Sequence, residues 1–187
     1  MRNPYSIDVG QEVAAIEGVR FAAVIEGEPK PLSRPIFRTN PFPSRRGQNP
    51  ARIVNPSQPY QRAMRDRIIE LIGRHREPFF TTASGGVSVN LTFFMPRPGY
   101  HFLPNCPRSI ENLRGRYRSL RLRHLVKPDI DNLAKFVLDL PLTGTIFGDD
   151  KSVTLLSVKK MYDSVGECRG RTAIEVLPNI IDLSDEH

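Results

Sequence analysis

Cysteine is scarce. Cys106 and Cys168 are the two in 187 residues, and they form neither a CxxC pair nor a metal-ligand spacing. A disulfide framework and a thiolate metal site are therefore excluded, and a reducing, intracellular setting (cytoplasm or nucleoid) is expected. Long apolar runs are missing as well. Stretches such as Leu91–Met95 fall far short of the ~20 residues a membrane span needs, and mean hydropathy is -0.35. Met1–Gly10 carries no apolar run, so no secretion signal is expected. No glycine-rich loop has nucleotide-binding spacing. Ser84 and Ser88 lack the His/Asp companions of a nucleophilic serine. Acids are in deficit: 20 Asp and Glu stand against 27 Lys and Arg, a net charge of +7.

The cations are concentrated in two stretches, and most of them are arginine. Residues 29–59 hold Lys30, Arg34, Arg38, Arg45, Arg46 and Arg52 with no acid. Residues 96–127 hold Arg97, Arg108, Arg114, Arg116, Arg118, Arg121, Arg123 and Lys127 against Glu111 alone. The remainder of the chain is net acidic. Charge segregated in this way suits a polyanionic partner, and arginine suits bidentate phosphate contact.

An apolar content of 39% supports one core. One domain is expected over 19–177, with 1–18 an N-terminal extension and 178–187 a C-terminal tail. Val19–Ile25 reads as a strand. Eight prolines in 29–59 then predict extended loop without sheet or helix. Ser57 is placed to cap a helix carrying Met64, Ile68, Leu71 and Ile72. Gly85-Gly86 precede a strand in which Val87, Val89, Leu91 and Phe93 alternate with polar residues. Residues 99–118 have no period and read as a mobile loop. Leu120–Val126 reads as a strand with Arg121 and Arg123 on its wet face. A helix over Asp131–Leu140 has Leu133, Phe136, Val137 and Leu140 as its apolar stripe, ended by Pro141 and Gly144. Val153–Val158 and Thr172–Leu177 read as further strands. The order β, α, β, β, α, β, β predicts an α/β (α+β) fold, helices packed on a mixed sheet.

Carboxylates carry the chemistry. Asp129 and Asp131 follow Pro128, and side chains two apart in an extended segment share one side. Asp149 and Asp150 form a second acidic pair after a glycine-containing turn. Carboxylates that converge without His or Cys form an oxygen-ligand site for a hard cation, Mg²⁺ first and Mn²⁺ next. Lys135, four residues beyond Asp131, projects from the same helix face. It is suited either to an ordinary i, i+4 pair or to stabilising charge on a phosphate. His124 is near enough to touch a phosphate, whereas His75, His101 and His187 read as surface residues.

The ordered set Lys127-Pro128-Asp129-Ile130-Asp131-Asn132-Leu133-Ala134-Lys135, then Leu138-Asp139, Gly144 and Asp149-Asp150, resembles the RusA family of Holliday junction resolvases. Gly27-Glu28-Pro29 and Arg34-Pro35-Ile36-Phe37 extend the resemblance upstream, and His124 also fits. The resemblance implies a small homodimeric, Mg²⁺-dependent endonuclease of DNA recombination and repair. It would make paired symmetric incisions across a four-way junction. It also implies Asp129, Asp131 and Asp150 as metal ligands, Asp149 as an accessory acid and Lys135 at the scissile phosphate. Arg34, Arg38, Arg121, Arg123, His124 and Lys127 are the expected DNA contacts, with Phe102 or Tyr117 a candidate wedge at the crossover. This chain departs from the pattern at Lys151-Ser152, in the turn 140–144 and in the basic stretch 105–118. Competing functions are a flap or fork nuclease, a non-catalytic branched-DNA binder and an Asp-x-Asp glycosyltransferase.

Overall fold

The computed structural model describes residues 13–17, 20–38, 52–72, 86–118, 122–140, 146 and 150–178. Its strands are β1 (Val13–Glu17), β2 (Arg20–Glu26), β3 (Ile36–Arg38), β4 (Arg52–Val54), β5 (Val87–Met95), β6 (Val153–Tyr162) and β7 (Arg171–Pro178). Its helices are α1 (Gln58–Ile72) and α2 (Ile130–Leu138). Five strands form one sheet in the order β1-β2-β7-β5-β6. β5 runs parallel to β6, and the other pairings are antiparallel. The α+β architecture with a mixed sheet is thus as expected.

Alternation along β5 turns Val87, Val89, Leu91, Phe93 and Met95 to one face of the sheet, and all five are buried. Phe21, Ala23 and Ile25 of β2 and Ile174 and Val176 of β7 join them in one core. α2 covers that core with Leu133, Phe136 and Val137 of the expected stripe; Leu140 joins them from just past the helix end, and α1 adds Ile68. Burial of each large apolar side chain contributes about 1.5–3 kcal/mol. Gly86, immediately before β5, has φ +97°, and a Cβ there would lie 2.6 Å from Thr154 Cγ2 on β6. Glycine is required at that junction.

Several expectations are corrected. An additional strand, β1, precedes the one expected at Val19 and forms the edge of the sheet. Residues 29–59 are not all loop, because β3 and β4 pair as a separate two-stranded ribbon. Ser57 precedes α1, but its Oγ accepts the Ser33 N–H at 2.7 Å and so ties the proline segment to the helix. Around residue 123 there is a single bridge, Arg123 to Met161, in place of a full strand; 120 and 121 lie outside the described residues. Pro141 and Gly144, the expected helix stop, also lie outside them.

Residues 99–118 are ordered, and not the mobile loop expected. Three 3₁₀ turns surround a small core of Phe102, Leu113 and Cys168, with Ile110 packed against it. Arginine side chains knit this insert together. Arg114 Nε donates to Phe102 O at 2.8 Å and Arg118 Nε to Leu113 O at 3.1 Å. Arg97 is 1% exposed, and its Nε and Nη1 donate to Asp163 O at 2.5 Å and Tyr117 O at 2.7 Å. Periodicity misses this insert because polar contacts to carbonyls hold it, as well as an apolar face. His101, expected at the surface, is 2% exposed. It stacks on Tyr117 at 3.8 Å and meets the Tyr162 edge at 4.8 Å.

Candidate active site

The end of β6 positions the segment that leads into the acids. Tyr162 N–H donates to Leu122 O at 2.8 Å and His124 N–H to Lys160 O at 3.4 Å. The Lys160 ammonium, on the same strand, donates to Val126 O at 2.8 Å and Pro128 O at 2.6 Å. Leu125 and Val126 meanwhile expose 87% and 60% of their surface, so apolar burial does little to hold this segment. The Lys127–Pro128 peptide is cis. α2 begins immediately afterwards.

Asp129 is the N-cap of α2, with extended backbone (φ −70°, ψ 144°), and its carboxylate makes no capping hydrogen bond. A free N-cap acid is unusual, because that oxygen ordinarily accepts an N–H of the first turn. Asp131 sits in the first helical turn. The two acids therefore straddle the helix start and do not share an extended segment. Asp129 and Asp131 are both exposed. Lys135 Nζ lies 3.5 Å from Asp131 Oδ2, with both side chains about three-fifths exposed. An ion pair so open to water contributes little, about 0–1 kcal/mol, and leaves Lys135 available to another anion.

The structure thus pairs Lys135 with Asp131 in α2 and sets Asp129 at the N-cap two residues earlier. Asp150 opens a 3₁₀ turn, Asp150–Ser152, that leads into β6. Strand residues rise ~3.3 Å each, so Val153 and Lys160 are about 23 Å apart along β6. The Asp129 segment is tied to the strand at Lys160, and Asp150 precedes the strand's other end. Asp149 lies outside the described residues. Among the described residues, no three His, Cys, Asp or Glu cluster as a metal site.

Arg34, Arg123 and Lys127 are exposed. Arg38 is the last residue of β3, and Arg121 lies outside the described residues. His124 is not at the surface where a phosphate contact was expected. It is 7% exposed, with its ring edge-on to Tyr162 at 4.7 Å, because the chain on either side pairs with β6. Burial and then the Lys160 ammonium hold its pKa below the ordinary histidine value. Phe102 is buried and Tyr117 lies against His101, so neither is free to act as a wedge. Lys160 is a residue that sequence reasoning misses; one of two adjacent lysines on a strand, it gives no signal of a long-range contact.

Exposed carboxylates at a helix start, an adjacent ammonium and arginine-rich flanks thus lie on an α+β scaffold. The family model of the endodeoxyribonuclease RusA matches residues 26–176, and the chain belongs to that family. Membership implies a junction-resolving endodeoxyribonuclease. No curated protein sequence matches the chain. No described helix is long and apolar enough to cross a membrane.

Proposed function

We propose that the chain is a Mg²⁺-dependent, structure-specific endodeoxyribonuclease that resolves four-way DNA junctions by paired symmetric incisions as a homodimer. The observation that carries this is the uncapped Asp129 beside Asp131 and Lys135 at the start of α2, within the family's motif. The donors fit the ion: they are carboxylate oxygens, exposed, with neither His nor Cys among them, the set a hard divalent cation prefers. Asp129, Asp131 and Asp150 would hold it, with Asp149 accessory. When bound, such an ion neutralises charge at the scissile phosphate and assists attack by water. Lys135 would hold its ammonium against the developing negative charge of the leaving oxygen. Exposed arginines of both basic stretches would grip phosphates without reading bases.

The dimer has a specific role. Because Asp129 and Asp131 are tied near Lys160 while Asp150 stands at the other end of β6, each ion pocket takes Asp150 from a second copy. Leu155 and Leu156 on β6 and Leu125 and Val126 beside it are exposed apolar residues suited to such a contact. Two pockets related by a two-fold axis match a two-fold junction. The test mixes Asp129→Asn and Asp150→Asn proteins on a synthetic four-way junction with and without Mg²⁺. Each variant alone should be inactive. The mixture should regain Mg²⁺-dependent nicking, since one pocket of each mixed dimer is intact. No recovery would overturn the shared pocket, and a wild type inactive on junctions but active on flaps or forks would overturn junction resolution.

A further inference from the structure

The insert 99–118 holds four arginines against one acid, Glu111. Three of the four are set in place by uncharged groups. Arg114 and Arg118 each use Nε on a backbone carbonyl, Phe102 O and Leu113 O. A guanidinium bonded in that way still presents its Nη edge, a fork that matches a phosphate. Arg116 is exposed, with Cζ 4.8 Å from the centre of the Tyr117 ring. Among the described residues, none of these three pairs with a carboxylate. Arginines elsewhere on the surface do: Arg67 meets Glu70 and Arg169 meets Glu167. Arg108 differs, lining a cleft that also holds Glu28 and Glu167.

The insert is also joined to the segment that leads into the candidate site. Tyr117 stacks on His101 at 3.8 Å, His101 meets Tyr162 at 4.8 Å and Tyr162 meets His124 at 4.7 Å. Three successive ring contacts thus run from the ring under Arg116 to the segment before Asp129. That segment adds exposed Arg123 and Lys127, and no acid occurs between Arg114 and Lys127. Members of the family are endodeoxyribonucleases. The DNA backbone is the polyanion that such an enzyme meets, and its phosphates complement an acid-free arginine surface.

We propose that the insert is a distinct DNA-binding surface, on which Arg114, Arg116 and Arg118 hold the phosphates of a duplex arm. The carbonyls and the ring already restrict these side chains, so less freedom is lost when the phosphates arrive. Phosphate contacts carry no sequence information directly, so the surface adds affinity for any duplex arm. Its place in catalysis, keeping that arm beside the scissile phosphate, rests on the function proposed above.

The test uses the full chain and Arg116→Gln/Arg118→Gln, with Arg116→Gln alone as the variant that leaves every carbonyl contact of the insert intact. Binding is measured by anisotropy in EDTA, over a range of salt, on a linear duplex and on a four-way junction with the same arms. The slope of log affinity against log salt should become shallower by about 0.9 for each arginine removed, equally on both DNAs. Arg116→Lys, which keeps the charge, should restore the slope. With Mg²⁺ and junction substrate, KM should rise while kcat at saturation is unchanged. A wild-type slope in Arg116→Gln would overturn the proposal, as would a loss confined to junctions or a fall in kcat with KM unchanged. Should the wild type cleave no branched DNA while the slopes on linear duplex shift as expected, the function proposed above fails and the DNA-binding surface stands.

Discussion

Lys160 Nζ donates a 2.6 Å hydrogen bond to Pro128 O, the carbonyl immediately before Asp129. A strand residue thus fixes the backbone from which the first acid of the candidate site projects. Groups that orient metal ligands typically change metal affinity or activity by 10–100-fold when removed. Lys160→Met should weaken Mn²⁺ binding by about that factor in titration calorimetry and leave metal-free junction affinity unchanged. Lys160→Arg, which keeps a donor in reach of both carbonyls, should recover much of the loss. Undiminished Mn²⁺ affinity in Lys160→Met would remove this residue from the site.

Asp163 and Arg171 form an ion pair of 3.1 Å with both side chains at most 3% exposed. Asp163 also accepts the Gly170 N–H at 2.9 Å and the Val165 N–H at 3.2 Å. Arg171 lies 4.4 Å from the Phe94 ring, and burial pulls its pKa down while Asp163 opposes that pull. Removing one partner leaves an uncompensated buried charge. Asp163→Asn should lower unfolding stability by about 3–5 kcal/mol in urea titration. A change below about 1 kcal/mol, the range of exposed pairs, would show that the pair is solvated in solution.

Burial lowers the pKa of His101, helped by Arg97 and Arg116, and also lowers that of His124. The unfolded chain therefore binds protons near pH 6.5 that the folded chain refuses. Stability is then complete above about pH 6.5 and falls as pH drops through and below that value. The melting temperature should decline between about pH 7.5 and pH 5, and His101→Phe should flatten part of the decline. An unchanged slope in that variant would show that His101 takes up its proton equally in the folded and unfolded states.

Exposed arginines in two stretches imply an affinity dominated by phosphate contacts. If ~6 phosphates are neutralised, junction affinity should fall about a thousandfold between 50 and 200 mM salt. A flat response would mean that these side chains do not reach the DNA backbone.

Local period makes part of the fold readable. The stripe Leu133, Phe136, Val137 and Leu140 and the alternation of β5 are recorded in neighbouring residues, so both elements are legible in the sequence itself. The paired acids and Lys135 are equally plain, because four residues place side chains on one helix face. The features that escape depend on distant contacts. Arg97 meets Asp163 O across 66 positions and Lys160 meets Pro128 O across 32. Nothing adjacent to either residue records such a bond. Prolines hide the ribbon, since three-residue strands at Ile36 and Arg52 are too short to show a period.

The anchorage of the 99–118 insert has a consequence for its motions. Arg97, at its root, bonds to the carbonyl of Asp163, whose carboxylate is in turn held by buried Arg171 on β7. The insert is therefore expected to open together with β5 and β7 and not as a separate foldon. Its protected amides should exchange with deuterium at the rate set by global unfolding, alongside those of β5 and β7.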